Sequence, residues 1–534
     1  MSDRIEAIQG LVRSEPLNRN FSYLDSKKVS IGDLPFFNVQ DYGAIGDGDA
    51  DDTQAIQTVF DEANDSDGIE VLFPPGTYRV TDPLYIRKNT KVIAHNAIID
   101  KKHDGTFLLN IESDSEDTGY DGHGNIYIEG GIWNSNAPDY TGGTAFVFGH
   151  GENITFRDIT LLDVNPGHAI EFNACKNVLV DASKFFGMVD VDGKEYSEAI
   201  QLDLMKSQGV FPWKDSNFDN TPCQDVIIQN CLFGASEENG AWGRAVGSHS
   251  ATADRWHERI FITNNIVKDC HHWAFRAYSW NDVTINDNMI FDCGGGISLD
   301  PNAVDGSDDT DTDGNATGTS NKIERFTIQG NRIKGGGSYG SAMSITGDDD
   351  NLLVNATISD NQVIDYDGGY ALYISRVTDS TISNNILKNV ELAIKLSECW
   401  LVNVTGNLLR SVAETGIEAF SNNEEINISG NSLFFVRGHG IWVSGNDTTA
   451  ITSNLFTGIG YASDGDYQGV RVTTSSDRIT INNNTFRNWG SDYQMEQAIY
   501  TSSSTTNSIV AVNNCAGISV YINEETTEYG NLTG

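Results

Sequence analysis

The sequence predicts an all-β chain: one single-stranded right-handed parallel β-helix, a solenoid with a capping helix near its N-terminus. Two observations carry this. A strand-like phrase ending in Asn returns every ~22 to 24 residues where no insertion intervenes, the length of a coil with three short strands and three turns. A second phrase, a small residue followed by alternating apolar positions, follows the first in fixed order. The chain has 534 residues, well past the ~250 to 300 at which one globular core stops growing, but a solenoid adds coils without thickening its core.

The first phrase reads VIIQNCLF from Val226, VTINDNMIF from Val283, STISNNIL from Ser380 and INISGNSLF from Ile426. Its closing asparagines are Asn230, Asn265, Asn288, Asn331, Asn361, Asn385, Asn407, Asn431, Asn454, Asn484 and Asn514. Period-two alternation makes each phrase a strand, and Asn suits a left-handed turn at its end. The second phrase reads AIEFN from Ala169, AIQLD from Ala199, AVGSH from Ala245, AFRAY from Ala274, GISLD from Gly296 and AMSIT from Ala342. The capping helix begins at Asp52 or Thr53, either a good N-cap, and places Ile56, Val59 and Phe60 on one face.

Composition narrows the function. The chain carries 75 acidic against 34 basic residues, a net charge of −41, so nucleic acid and anionic membranes are excluded as partners. No run of ~18 apolar residues is present to span a bilayer. The first twenty residues lack a basic start followed by an apolar stretch, so an extracellular or virion location is expected without a visible secretory signal. The seven cysteines are dispersed and odd in number, which predicts buried thiols and no disulfide framework.

The opening FFNVQDYGAIGDGDADDTQAIQTVFDEAN, followed by VLFPPGTYRV, resembles the start of pectate-lyase-superfamily proteins. The resemblance implies a β-helix domain over residues 36–534 and leaves the reaction open. Residues 1–35 form a separate leader: Ile5, Ile8, Leu11 and Val12 make a short amphipathic helix. It is similar to the segments that precede β-helices in bacteriophage tail spikes, which implies a homotrimer.

Chemistry is expected where long insertions break the period, between Ser183 and Asn331. Stacking the second phrase in register gives two outward columns. One reads Glu171, Gln201, Gly247, Arg276, Ser298, Ser344, and the other Asn173, Asp203, His249, Tyr278, Asp300, Thr346. Adjacent coils lie ~4.8 Å apart, so Asp203 and His249 are expected in contact or one water apart, with Arg276 and Tyr278 beside them. A carboxylate next to imidazole favours the charged ring. Glu171 is expected ~8 Å from Asp203, in the range of inverting glycosidases, with either residue as the acid. Glu198 is the reserve carboxylate, and Asp300, ~14 Å away, is better placed to bind sugar hydroxyls with Gln201 and Tyr278. Trp213, Trp256 and Trp273 are candidate platforms for sugar rings.

The order carboxylate, His, Arg resembles the polygalacturonase family, although paired aspartates are missing and FRAY stands where that family has a basic pair. That resemblance implies a glycan-active site. No cofactor is expected, except that Asp309, Asp311 and Asp313 in DDTDTDGN begin like a calcium loop whose far acidic position is Ser320. The first reading is therefore a glycoside hydrolase acting as a polysaccharide depolymerase. The alternatives are a polysaccharide lyase, a non-catalytic glycan-binding adhesin or spike, and hydrolysis of a phosphodiester polymer.

Overall fold

In the computed structural model, residues 35–65, 67–189, 196–207, 211, 217–461 and 467–532 are described. The expected leader helix and Trp213 lie outside them. The described chain winds as a parallel β-helix whose last strand is Thr526–Tyr529. An 18-stranded sheet forms one face. The other two faces form a 30-stranded sheet, because the long strands Gln362–Ser375 and Ile386–Ser397 bend across both.

The interior follows from period two. On the face that carries the second phrase, Ile170, Phe172, Ile200, Leu202, Val246, Phe275, Ile297 and Ile345 are fully buried. Each such side chain contributes ~1.5–3 kcal/mol. The capping helix runs Thr53–Asp61 and buries Ile56, Val59 and Phe60. Asp52 is its N-cap by position but makes no capping hydrogen bond. Its carboxylate accepts instead from the Ile45 amide at 2.6 Å and the Arg79 amide at 3.2 Å, tying the glycine- and aspartate-rich turn to the strand Gly76–Val80.

The asparagines do something other than turn the chain. Of the series expected to be left-handed, Asn230 alone has a positive φ, 59°. In the turns before Asn265 through Asn484 the preceding residue takes that conformation, for example Asn264, Asp287, Gly330, Asp360 and Asn384. The phrase-ending Asn then points inward and builds a buried ladder. The Asn288 amide group donates to the Ile262 carbonyl at 2.9 Å and to Asn331 Oδ1 at 2.9 Å, and the Asn288 backbone N–H reaches the same Oδ1 at 3.0 Å. The pattern continues to Asn484, which meets Asn513 rather than Asn514. At the other end Cys231, not Asn230, occupies the ladder position, its N–H donating to Asn265 Oδ1 at 2.9 Å. All seven cysteines are buried free thiols.

Candidate active site

The site rests on six strands of one face: Ile170–Asn173, Glu198–Asp203, Arg244–Gly247, Trp273–Tyr278, Gly295–Asp300 and Met343–Thr346. Strand pairing reproduces the first expected column, with Glu171 opposite Gln201, Gln201 opposite Gly247, Gly247 opposite Arg276, Arg276 opposite Ser298 and Ser298 opposite Ser344. Asn173 faces Asp203, and Tyr278 faces Asp300. His249 lies two residues past the end of its strand, yet its Nε2 is 4.0 Å from Asp203 Oδ2.

These outward carboxylates are not exposed as a bare sheet face would leave them. Asp203 is 0 % exposed, Glu198 1 % and Glu171 4 %. The chain after Gly247 folds back over Asp203. There Ser250 Oγ and Gln201 Nε2 both donate to the Asp203 carboxylate, Ser248 Oγ donates to the Leu202 carbonyl at 2.6 Å, and the Trp280 indole N–H donates to Ser248 Oγ at 2.8 Å. Lys206 Nζ anchors the same segment through the Ala251 carbonyl. The acidic insertion closes over from the other side: Tyr278 donates its hydroxyl to Asp308 at 2.8 Å, and Lys206 Nζ reaches the Ser307 carbonyl at 2.6 Å.

Burial then sets the charges. It pushes the Glu171 carboxyl up to about 7, with the Asp203 charge adding to the effect against hydrogen bonds from Asn173 and Thr144. Burial also raises Asp203, to about 6, while His249, Ser250 and Gln201 hold it down. Burial opposes a charged His249, but the Glu198 carboxylate, with Asp203 and Glu171 behind it, outweighs that cost and raises the ring to about 9. Glu198 resists its own burial because His249, Arg244 and His168 surround it, and it stays ionised well below the usual carboxylate range.

Glu198 is thus an anchor more than a reserve acid. Arg244 Nη1 lies 2.6 Å from its Oε1, while His249 Nδ1 and His168 Nδ1 lie 3.7 and 3.6 Å from its Oε2. Arg244 and His168 escaped the sequence reading, although a signal was present. His168, Glu198, Arg244 and Trp273 each stand two residues before the inward apolar residue of their strand, a third column beside the two that were read. Gly247 gives Glu198 room here, since a Cβ would crowd it at 3.2 Å from Cγ and 3.3 Å from Oε1.

Other expectations are redirected. Arg276 does not reach Asp203 but pairs with Asp300, Nη2 to Oδ2 at 2.7 Å, and lies 4.3 Å from the Tyr278 ring centroid. The Tyr278 hydroxyl, engaged by Asp308, also accepts from the Ala303 amide at 2.8 Å, so it supports the insertion. Trp256 is half-buried, with its ring packed against the core. Trp273 meets Tyr339 edge to face at 6.0 Å, and Tyr339 also contacts His272, which contacts Tyr196. Tyr339 and Tyr196 are 50 % and 43 % exposed, so the aromatic rim of the site runs through them. In the insertion, Asp309 is engaged by the Gly306 and Gly318 amides and Asp311 by those of Asp313 and Asn315. Among the described residues no three acidic, His or Cys side chains converge as a metal site.

Comparison with known proteins agrees with the architecture. The family model for rhamnogalacturonase A/epimerase, pectate lyase-like, matches residues 36–298, and that for the right-handed beta helix region matches residues 315–486. The plasmin and fibronectin-binding protein A of Streptococcus pneumoniae is 34 % identical over 281 residues, 47 % of this chain and 39 % of that protein. The chain therefore spans well under half the length of this relative. The mannuronan C5-epimerase AlgE3 of Azotobacter vinelandii is 53 % identical over 45 residues, 8 % of this chain and 2 % of that protein. A mutant tailspike protein of E. coli bacteriophage HK620, in complex with a hexasaccharide, superposes with a TM-score of 0.50 at 13 % identity, covering 92 % of this chain and 78 % of that chain. The coils and their register agree with both matches: the chain is a right-handed parallel β-helix whose residues 36–298 are similar to the pectate lyase-like family.

Proposed function

We propose that this chain binds and hydrolyses a polysaccharide outside the cell or on a virus particle, as a homotrimer. One observation carries the reading: two neighbouring buried carboxyls on the coil face, Glu171 and Asp203, are both raised toward neutral pH by their burial, beside a protonated His249. Carboxyls raised in this way suit an acid and base pair, in which Glu171 is assigned the proton. Glu171 holds the proton near neutral pH and gives it to the leaving glycosidic oxygen as the bond to the anomeric carbon breaks. Asp203, ionised, takes a proton from the water that attacks that carbon, and the product is a new reducing end. His249, 44 % exposed at its side chain, faces the incoming sugar. A lyase is less favoured, because the Arg276 guanidinium needed to neutralise a uronate is already paired with Asp300.

A second reading has its own observation. Asp203 has no exposed surface, which suits a glycan-binding protein whose buried cluster only shapes the face. The streptococcal relative is named for binding, of the proteins plasmin and fibronectin, and the bacteriophage tailspike that shares the fold was captured with a hexasaccharide. The deciding experiment incubates the full chain and Asp203→Asn with a panel of purified surface glycans. New reducing ends made by the wild type alone support hydrolysis. Unsaturated uronic products would shift the reading to elimination, and retention of glycan with no product would leave binding as the function.

A further inference from the structure

The outward column of the site does not stop at Ser344. Strand pairing carries it on through Tyr373, Lys395, Glu418, Trp442, Arg471, Tyr500 and Tyr521, each opposite the next. The sequence alone shows a mixture here, whereas the structure shows cations interleaved with rings. Lys395 Nζ lies 5.9 Å from the Tyr373 ring centroid. Arg471 Cζ lies 5.4 Å from that of Trp442 and 5.2 Å from that of Tyr500, and Tyr500 stacks on Tyr521 at 5.3 Å and 15°.

These rings are not needed to close the core. The inward residues of the same coils, Ile394, Ile417, Ile441, Val470 and Ile499, are fully buried, while Tyr521 is 54 % exposed and Trp442, Arg471 and Tyr500 are partly so. Charge is the second observation. In a chain of 75 acidic residues, neither Lys395 nor Arg471 has a carboxylate within ion-pair distance among the described residues. Glu418, the one acid in the column, is occupied by the Tyr370 hydroxyl at 2.9 Å and is buried.

We propose that this ladder, Tyr373, Lys395, Trp442, Arg471, Tyr500 and Tyr521, is a second glycan site that holds a stretch of acidic polysaccharide along the coil axis. Rings offer flat apolar surface to sugar faces, and the two cations, neither in an ion pair among the described residues, attract the carboxylates or sulfates of the polymer. The coil spacing of ~4.8 Å repeats these contacts along the axis, so successive sugars meet successive coils. The ladder continues the face that carries Glu171 and Asp203, so a bound polymer is delivered toward that cluster. The binding itself is independent of whether chemistry occurs there.

The test measures binding of the full chain to polygalacturonate, alginate and hyaluronan, with dextran as the neutral control, by affinity electrophoresis and tryptophan fluorescence. At least one acidic polymer is expected to bind, more weakly as salt rises. Arg471→Ala and, separately, Tyr521→Ala should each weaken it about tenfold, while Asn403→Ala, exposed on another face of the coils, binds as the wild type does. Tyr521 lies at the exposed end of the column, so its replacement tests the ladder even where Arg471→Ala fails to fold. Failure of all three acidic polymers to bind, equal retention of dextran, wild-type affinity in both ladder variants, or an equal loss in Asn403→Ala would each overturn the proposal.

Discussion

His249 is the exposed member of a cluster otherwise sealed from water, and its charge holds two buried carboxylates in their states. Because its acidity is shifted up, to about 9, the stability it contributes is complete below its unfolded value of ~6.5 and is lost as pH rises through about 9. The melting temperature of the wild type should therefore exceed that of His249→Asn most clearly below ~pH 6.5, the gap closing by about pH 9; a gap that widens with pH would contradict the cluster. Activity has its own profile. Under the proposed hydrolysis Asp203 must be ionised and Glu171 protonated, so turnover of a cleaved glycan should peak near neutral pH, above the usual carboxylate range, and Glu171→Gln should abolish the alkaline limb along with most of the rate. Asp203→Asn should reduce turnover about 10²- to 10⁴-fold and still fold, since Asn keeps the shape and an acceptor for Ser250. Asp203→Ala leaves two buried donors without a partner, ~1–3 kcal/mol each, so it should also lower the melting temperature. The double variant Asp203→Asn with His249→Ala should lose scarcely more activity than either single one, because the two act as a unit.

At the scale of the coil, the sequence shows where strands lie better than what fixes them. The period and the inward residues could be read because a strand buries every second side chain, and register then followed from one strand per coil. The fate of Asn288 or Asn385 could not, since inward and left-handed positions adjoin and either tolerates Asn. Only the hydrogen bonds reveal that Asn385 serves its neighbours: it accepts from the Asn361 amide at 3.0 Å and donates to the Ile358 carbonyl at 3.0 Å. Asn385→Ala should cost about 2–4 kcal/mol in unfolding free energy, whereas Asn403→Ala, exposed on the outer side, should stay within ~0.5 kcal/mol. Equal losses in denaturant titrations would refute the ladder's role. The site divides in the same way. Glu171, Asp203 and His249 were legible because each falls at an outward position counted from the inward residues of its coil, but their burial was not, because it depends on how Ser248 to Ala251 and the acidic insertion fold across them. Arg276 was placed beside Asp203 by column geometry alone, and its long side chain chose Asp300 instead.

For the whole molecule, the net charge of −41 sets like charges against one another along a rod whose coils are held by neighbour contacts alone. Screening shortens the reach of that repulsion from ~30 Å at 0.01 M salt to ~10 Å at 0.1 M and ~3 Å at 1 M. The charge opposes association of several chains more strongly than folding of one, because three chains side by side bring together three such surfaces. The homotrimer implied by the tail-spike-like leader should therefore depend on salt. Light scattering of the full chain should give three times the chain mass at about 0.5 M salt and a smaller mass near 0.01 M, with the shift reversible on dialysis. A monomer at high salt would remove the trimer from the proposed function. The trimer at both salts would show instead that its contacts are apolar enough to override the charge.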